Sequence, residues 1–352
     1  VPYVKYGKTN AELMRLYGRD ICKKAYDRVH KIQNLTREDL WYYVFHPEAA
    51  VRDGVRDPVR IIGKSEPTKK TKIRAGIPRL VMSVSVVDQF VSATCADHQI
   101  EAEKSQWRSG GSPSCPGLGF TSEDVPRLKV WVAERIGKDL MGFDVSCFDW
   151  SITWWEAIVE MVTRLCLTGL PPDTWDVHPF ARLIVGETLL NVSNVFCLND
   201  GTLVTVTNSG GIVISGSKRT ASTNSRHMVA SIKFATGKIG RAMGDDGLGK
   251  LIAEEEARRK FAQLGKVLKQ AEPLDFDELE FCSYTWRDGQ TPEMNNVAKL
   301  LFHMACMREY SDEQLGAWLN LVPQRDLWAV QVLAENRGRR LEGEEKPPIG
   351  IG

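Results

Sequence analysis

Apolar and polar positions over the first forty residues follow a helical period. Leu13, Leu16, Tyr17 and Ile21 share one face and charges fill the others, which predicts an amphipathic helix to about Leu40. The run "RLVMSVSVVDQFVSATC" begins apolar and β-branched, predicting a strand that leads into a buried helix. From Ser105 to Pro126, Gly, Ser and Pro mark irregular structure. "DLMGFDVSCFDW" reads as a short buried strand ending in a polar turn. The helix after it places Ile152, Trp155, Val159, Val162 and Cys166 on its apolar face, with Thr153 and Glu156 as a capping box and Pro171-Pro172 as the stop. "FCLNDGTLVTVT" predicts a hairpin across Asn199-Asp200-Gly201. A Gly/Ser loop from Asn208 to Ser217 precedes a helix from about Arg219 to Lys233, and "IGRAMGDDGLGKLIA" predicts a second strand-turn-strand. The last stretch reads as helical, with Thr291-Pro292 and the Ser311/Gln314 box as start signals. Strands and helices mixed without strict alternation predict an α+β fold.

Composition narrows the class and little else. With 352 residues, 43% hydrophobic and 26% charged, the chain resembles an average globular protein, not a collagen, coiled coil or disordered segment. No apolar run approaches a membrane span, and no signal-peptide core is visible. The eight cysteines form no C-x-x-C pair and lie apart from the histidines, which predicts reduced, buried thiols in a cytosolic protein. A formal net charge of +1 argues against generalised electrostatic binding of nucleic acid but leaves room for a local basic channel. Residues 64–79 supply one: Lys64, Lys69, Lys70, Lys72, Arg74 and Arg79 face a single acid, Glu66. Flanked by Pro67 and Pro78 and leading into a buried strand, they suggest an ordered finger-like excursion able to hold a triphosphate.

Carboxylates carry the candidate chemistry. Asp245 and Asp246 sit at a predicted hairpin tip between Gly244 and Gly247; alone, such a pair is ordinarily a solvated loop. Asp144 ends the buried strand and Asp149 follows before the helix. A strand-end carboxylate opposite a carboxylate hairpin suits hard cations such as Mg²⁺, which need few protein ligands when substrate phosphates and water complete the shell. Two such ions can stabilise both oxygens of an in-line phosphoryl transfer. In "SGSKRTASTN", Thr220 and Asn224 share a helix face. That is either a Ser/Thr-rich helix start or a polar face for a sugar 2′-OH, the group that separates ribose from deoxyribose.

Taken in order, these segments resemble the motif series of viral RNA-dependent RNA polymerases. "KSEPTKKTKIRAGIPRLV" is similar to motif F, "DVSCFD" to motif A, "SGSKRTASTN" to motif B, "GDD" to motif C and "FCSY" to motif E. "CFDWSITWW", "SGSKRTASTNSRHMV" and "AMGDDGLG" resemble the sobemovirus and polerovirus type, over roughly residues 60 to 290. Tyr284 departs from the pattern, standing where the sobemovirus-type motif E commonly has His.

The resemblance implies a right-hand architecture of fingers, palm and thumb, with an antiparallel palm sheet flanked by helices. Fingers would be 1–138, including the basic 64–80; palm 139–174 and 206–286; a fingers or palm insertion 175–205; and thumb 287–352. Asp144 and Asp245 would coordinate two Mg²⁺ ions, with Mn²⁺ as a substitute and Asp246 a weaker contributor. Asp149 and Asn224 would read the ribose 2′-OH, with Ser215, Gly216 and Thr220 completing the nucleotide site. Lys64, Lys72 and Arg79 would hold the triphosphate, while Lys69, Lys70 and Arg74 would contact RNA. The lysine that protonates pyrophosphate would be Lys269 or Lys266, with Lys269 preferred for its distance before motif E. Implied partners are template and product RNA, ribonucleoside triphosphates and a genome-linked protein primer. The implied setting is a replication complex of a positive-strand RNA virus in the host cytoplasm, associated with membranes through other viral proteins. A reverse transcriptase or other palm polymerase, or a non-enzymatic RNA-binding or capsid protein, remains the alternative reading.

Overall fold

The computed structural model describes residues 10–64, 74, 76, 80–206, 212–307 and 311–336. Helices α1 (Asn10–Gln33), α2 (Arg37–Phe45) and α3 (Pro47–Arg52) come first. The single helix expected to Leu40 is therefore two. The capping box of Thr36 and Asp39 starts α2, a local signal that the apolar period runs straight through. Backbone at Tyr17 is non-helical (φ −131°), which breaks the predicted face: Ile21 is buried while Leu16 is 48% exposed.

Strands β1 (Val59–Gly63) and β2 (Leu80–Ser83) pair antiparallel with Gly63 opposite Leu80, so the basic residues lie on the connection between two paired strand ends. Helix α4 (Val86–Arg108), capped by Ser85, and α5 (Asp124–Arg135) follow. Next are β3 (Leu140–Val145), a 3₁₀ turn at Phe148–Trp150, α6 (Trp154–Cys166) and α7 (Pro179–Leu190). The expected hairpin is β4 (Asn194–Cys197) and β5 (Leu203–Val206), turning through Gly201 at φ +87°. β4 also pairs parallel with β1, giving a first sheet of order β2-β1-β4-β5.

Helix α8 (Thr220–Thr236) precedes β6 (Arg241–Met243) and β7 (Asp246–Lys250). With α9 (Glu254–Gln263) and β8 (Leu268–Leu274) they complete a second, wholly antiparallel sheet of order β6-β7-β3-β8. Met141, Phe143 and Val145 alternate onto one face of β3, where they pack with Met228 and Ile232 of α8 and Phe261 of α9. The opposite face holds Leu140, Leu248 and Asp144. A third small sheet, β9 (Leu279–Phe281), β10 (Tyr284–Trp286) and β11 (Glu293–Met294), leads to α10 (Val297–Cys306), α11 (Asp312–Leu321) and α12 (Leu327–Asn336). Thr291-Pro292 thus precedes a strand, and the helix starts instead at the Asn296 cap; the Ser311/Gln314 box is present.

Two further expectations are corrected. The predicted inward face of α6 points outward: Trp155 and Val159 are 73% and 59% exposed, while Glu160 and Arg164 are buried. Periodicity identifies an apolar stripe and not its neighbour, and here the Glu160–Arg164–Arg226 ion pairs take the interior. Of the eight free thiols, Cys22, Cys147, Cys166 and Cys306 are exposed, so burial holds for only some of them.

Candidate active site

Asp144 is the penultimate residue of β3 and stands directly opposite Asp246 of β7 in the ladder. Directly opposed residues of an antiparallel pair project to the same side, where like charges repel. Gly244 (φ +64°) and Asp245 form the turn between β6 and β7, a conformation that glycine adopts without steric cost. Asp245 is exposed, whereas Asp144 and Asp246 are half-buried. Burial, then the charges of Asp245 and Asp144, push the Asp246 carboxyl up to about 6, against opposition from Lys269 and a hydrogen bond with the Cys282 thiol. Lys269 reaches across from the bulge where the β3–β8 register shifts, and its ammonium pairs with Asp144 Oδ2.

Three carboxylates, one from β3 and two consecutive ones from the β6–β7 hairpin, thus share one corner, with Lys269 paired to Asp144. Among the described residues, no three His, Cys, Asp or Glu side chains form a ready-made metal cage. The donor set nevertheless fits a hard divalent ion, which prefers carboxylate oxygen and keeps water or phosphate in its remaining positions. Burial first, and the charges of Asp245 and Asp144 second, raise Asp246, and a divalent ion at this corner would offset both.

Beside this corner lies a fourth carboxylate, Asp149, on the 3₁₀ turn. Asn224 Nδ2 on α8 donates to its Oδ1 at 2.6 Å, joining positions 75 residues apart. Burial raises the Asp149 carboxyl, the nearby Asp245 charge adds to this, and the Asn224 amide offsets part of it. Asn224 is buried, and its Oδ1 has no hydrogen-bond partner among the described residues. Ser215 and Thr220 are engaged elsewhere. Ser215 Oγ accepts from the Met82 amide of β2 at 3.1 Å, and Thr220 Oγ1 lies 2.6 Å from Ile214 O and 2.9 Å from Ser217 O. Gly216 fits so closely under β2 that a Cβ there would come 2.1 Å from Met82 O. These contacts hold the loop against β2 and the start of α8, and Asp149 is close enough to Asp245 to feel its charge.

A family profile described as viral RNA-directed RNA-polymerase matches residues 2–134 and 184–289. The chain belongs to that family. It is 33% identical to Protein P1-P2 of turnip yellows virus over 322 residues, covering 86% of this chain and 29% of the relative. It is 30% identical to the replicase polyprotein P2AB of cocksfoot mottle virus, over 86% of this chain and 31% of that protein. The chain therefore spans about a third or less of the length of these relatives. Among solved structures it resembles an insertion-loop deletion mutant of the RNA-dependent RNA polymerase of a human picobirnavirus. That likeness has a TM-score of 0.56 at 14% identity, over 79% of this chain and 57% of the other, and it concerns the fold. Membership in the viral polymerase family sets aside the reverse-transcriptase and capsid readings.

Within this polymerase-family chain the two candidate lysines separate cleanly. Lys269 is 58% exposed and pairs with Asp144. Lys266 is buried, donates to Ser151 O at 3.1 Å and pairs with Glu156 Oε1 at 2.8 Å, bracing the turn that carries Asp149. Lys64 and Arg74 are exposed, Lys64 directly after β1. Lys69, Lys70, Lys72 and Arg79 lie outside the described residues. Tyr284 stacks on Phe120 with ring centroids 4.0 Å apart. Sequence reasoning missed Ser225, whose Oγ accepts from the Gly244 amide, and the Glu160–Arg164–Arg226 cluster behind α8. Neither has a local signature, because both depend on contacts between distant segments.

Proposed function

We propose that the chain catalyses RNA-templated RNA synthesis in viral genome replication and transcription. An RNA 3′-OH attacks the α-phosphate of a ribonucleoside triphosphate and pyrophosphate leaves. The observation that carries this reading is the opposition of Asp144 and Asp246 beside Asp245, in a family of viral RNA-directed RNA polymerases. Asp144, Asp245 and Asp246 would hold two Mg²⁺ ions, replaceable by Mn²⁺. When bound, such ions stabilise the attacking and leaving oxygens of the transfer. The protein's own contribution is positioning and charge, with little covalent chemistry.

Asn224, fixed by Asp149 and with a spare acceptor, suits the 2′-OH as a hydrogen-bond donor. A deoxynucleotide would leave that acceptor unpaired, which a buried polar site penalises strongly. Lys269 would give a proton to departing pyrophosphate, a role its ion pair with Asp144 supports. The basic connection after β1, including Lys64, Lys72 and Arg79, would hold the triphosphate, and Lys69, Lys70 and Arg74 the RNA. The sheet that joins β4 and β5 to β1 and β2 supports grouping 175–205 with the 1–138 fingers. Residues 139–174 and 206–286 then form the palm. The separate core of α10–α12 supports a 287–352 thumb. A genome-linked protein primer and recruitment to cytoplasmic replication complexes through other viral proteins belong to the same reading. No helix among the described residues is long and apolar enough to cross a membrane.

The test is extension of a primed RNA template with Mg²⁺ and ribonucleotides. Synthesis is expected from the unaltered protein and lost on chelation. Asp245→Asn, on an exposed turn, should reduce elongation by at least about 10³-fold while the melting temperature holds. Unchanged elongation by that variant overturns the proposal.

A further inference from the structure

Ser225 follows the ribose-facing Asn224 on α8 and takes no part in the Asp149 pair. It is 0% exposed. Its Oγ donates to Ala221 O at 2.6 Å and accepts from the Gly244 amide at 2.8 Å. A hydroxyl has one proton, and committing it to Ala221 leaves the lone pairs for Gly244. Met243 and Asp246 are the last register pair of the β6–β7 ladder, so the hairpin itself offers the Gly244 N–H no partner. Ser225 supplies one at the residue immediately before Asp245.

The rest of the helix leaves no slack against the hairpin. A Cβ on Gly247 would come 2.7 Å from Ile232 Cδ1 and 2.8 Å from Met228 Cγ, and one on Gly249 would come 2.6 Å from Ile232 Cγ2. Helix and hairpin are therefore closely packed, and Ser225 hydrogen-bonds the hairpin at the residue before Asp245. Consecutive residues of one helix thus touch the two halves of the site: Asn224 the sugar-reading carboxylate, Ser225 the metal-side turn.

We infer that Ser225 is a positioning residue that couples recognition of the ribose to placement of the Asp245 turn. The inference rests on the polymerase reading above and deepens it. Engagement of the 2′-OH at Asn224 holds this stretch of α8 in place, and Ser225 passes that constraint to Gly244 and Asp245. A deoxynucleotide is then disfavoured twice, through the unpaired Asn224 acceptor and through a less well set carboxylate turn.

Single-nucleotide extension with matched ribo- and deoxynucleotides tests the coupling. In Ser225→Ala, kcat for the ribonucleotide should fall about 10- to 100-fold, the scale of a small misplacement of catalytic groups, with KM nearly unchanged. The deoxynucleotide kcat should fall much less, so sugar discrimination in kcat narrows. Ser225→Thr restores the oxygen and should recover part of the ratio. Ser225→Cys keeps the volume with a weaker acceptor, and should give an intermediate ratio even if the alanine variant is too unstable to assay. Ser231→Ala is the control: Ser231 is buried on the same helix, its Oγ donating to His227 O at 2.8 Å and not to the hairpin, so its ratio should match the unaltered protein. Equal losses for both sugars in Ser225→Ala, or an unaltered ratio in a folded Cys variant, overturn the coupling. A failure of the underlying reading looks different: the unaltered protein then makes no RNA, or takes deoxynucleotides as readily as ribonucleotides.

Discussion

Lys266 and Lys269, three positions apart, have opposite surroundings and therefore opposite expected phenotypes. Lys266 is sealed beneath the 149–153 turn with Glu156 and the Phe148 ring. Lys266→Met removes one partner of a mostly buried pair and should cost about 3 kcal/mol, seen as a lower denaturant midpoint. Lys269 is surface-exposed, so Lys269→Met should leave the midpoint in place and lower kcat by about 10²-fold. The reverse pattern would exchange their roles. The resemblance to viral polymerases implied one of these two lysines and favoured Lys269. The register shift between Asp144 and Val145, which aims Lys269 at the carboxylates, appears only once β3 and β8 are paired. Asp144, Asp149, Asp245 and Asn224 were readable because each lies beside a strand end or a helix start with its own local signal. Ser225 was not, because its partner is a backbone amide 19 residues away.

At the scale of elements, α6 and α8 are joined by buried charge. Glu160 lies 2.7 Å from Arg164 Nε and 2.6 Å from Arg226 Nη2, and Arg226 also reaches Glu103 on α4. Burial alone would raise the Glu160 carboxyl, but the two guanidinium groups outweigh it and hold it well below its usual 4.5. A carboxyl whose folded value is depressed stabilises the fold fully above its unfolded value and loses that contribution as pH falls toward the folded one. Stability should therefore decline as pH drops below about 4.5, and Glu160→Gln should remove part of that dependence while lowering stability at neutral pH. Denaturant titrations of both proteins between pH 3 and 7 check this; parallel curves would exclude the linkage. The outward turn of the α6 apolar stripe has the same origin. Glu160 finds ion-pair partners inside in Arg164 and Arg226, and a hydrophobic pattern cannot report the presence of Arg226 66 residues away.

For the whole molecule, the order of motifs along the chain was legible, and the assembly of sheets was not. Each motif has its own turn chemistry: glycine at the β6–β7 tip, proline and glycine around the basic connection, a capping box at α6. Strand pairing is non-local. Joining β1 to β4 and placing β3 between β7 and β8 require contacts that no local pattern encodes. The central claim concerns a whole-molecule property, Asp144 brought from a hundred residues away in the chain to the adjacent Asp245 and Asp246 to make one site for divalent ions. Anomalous scattering from crystals soaked in Mn²⁺ with an incoming ribonucleotide measures it directly. Two Mn²⁺ peaks beside Asp144 and Asp245, with Lys269 released from Asp144, are the expected result; Mn²⁺ bound only elsewhere, with the Lys269–Asp144 pair intact, contradicts it.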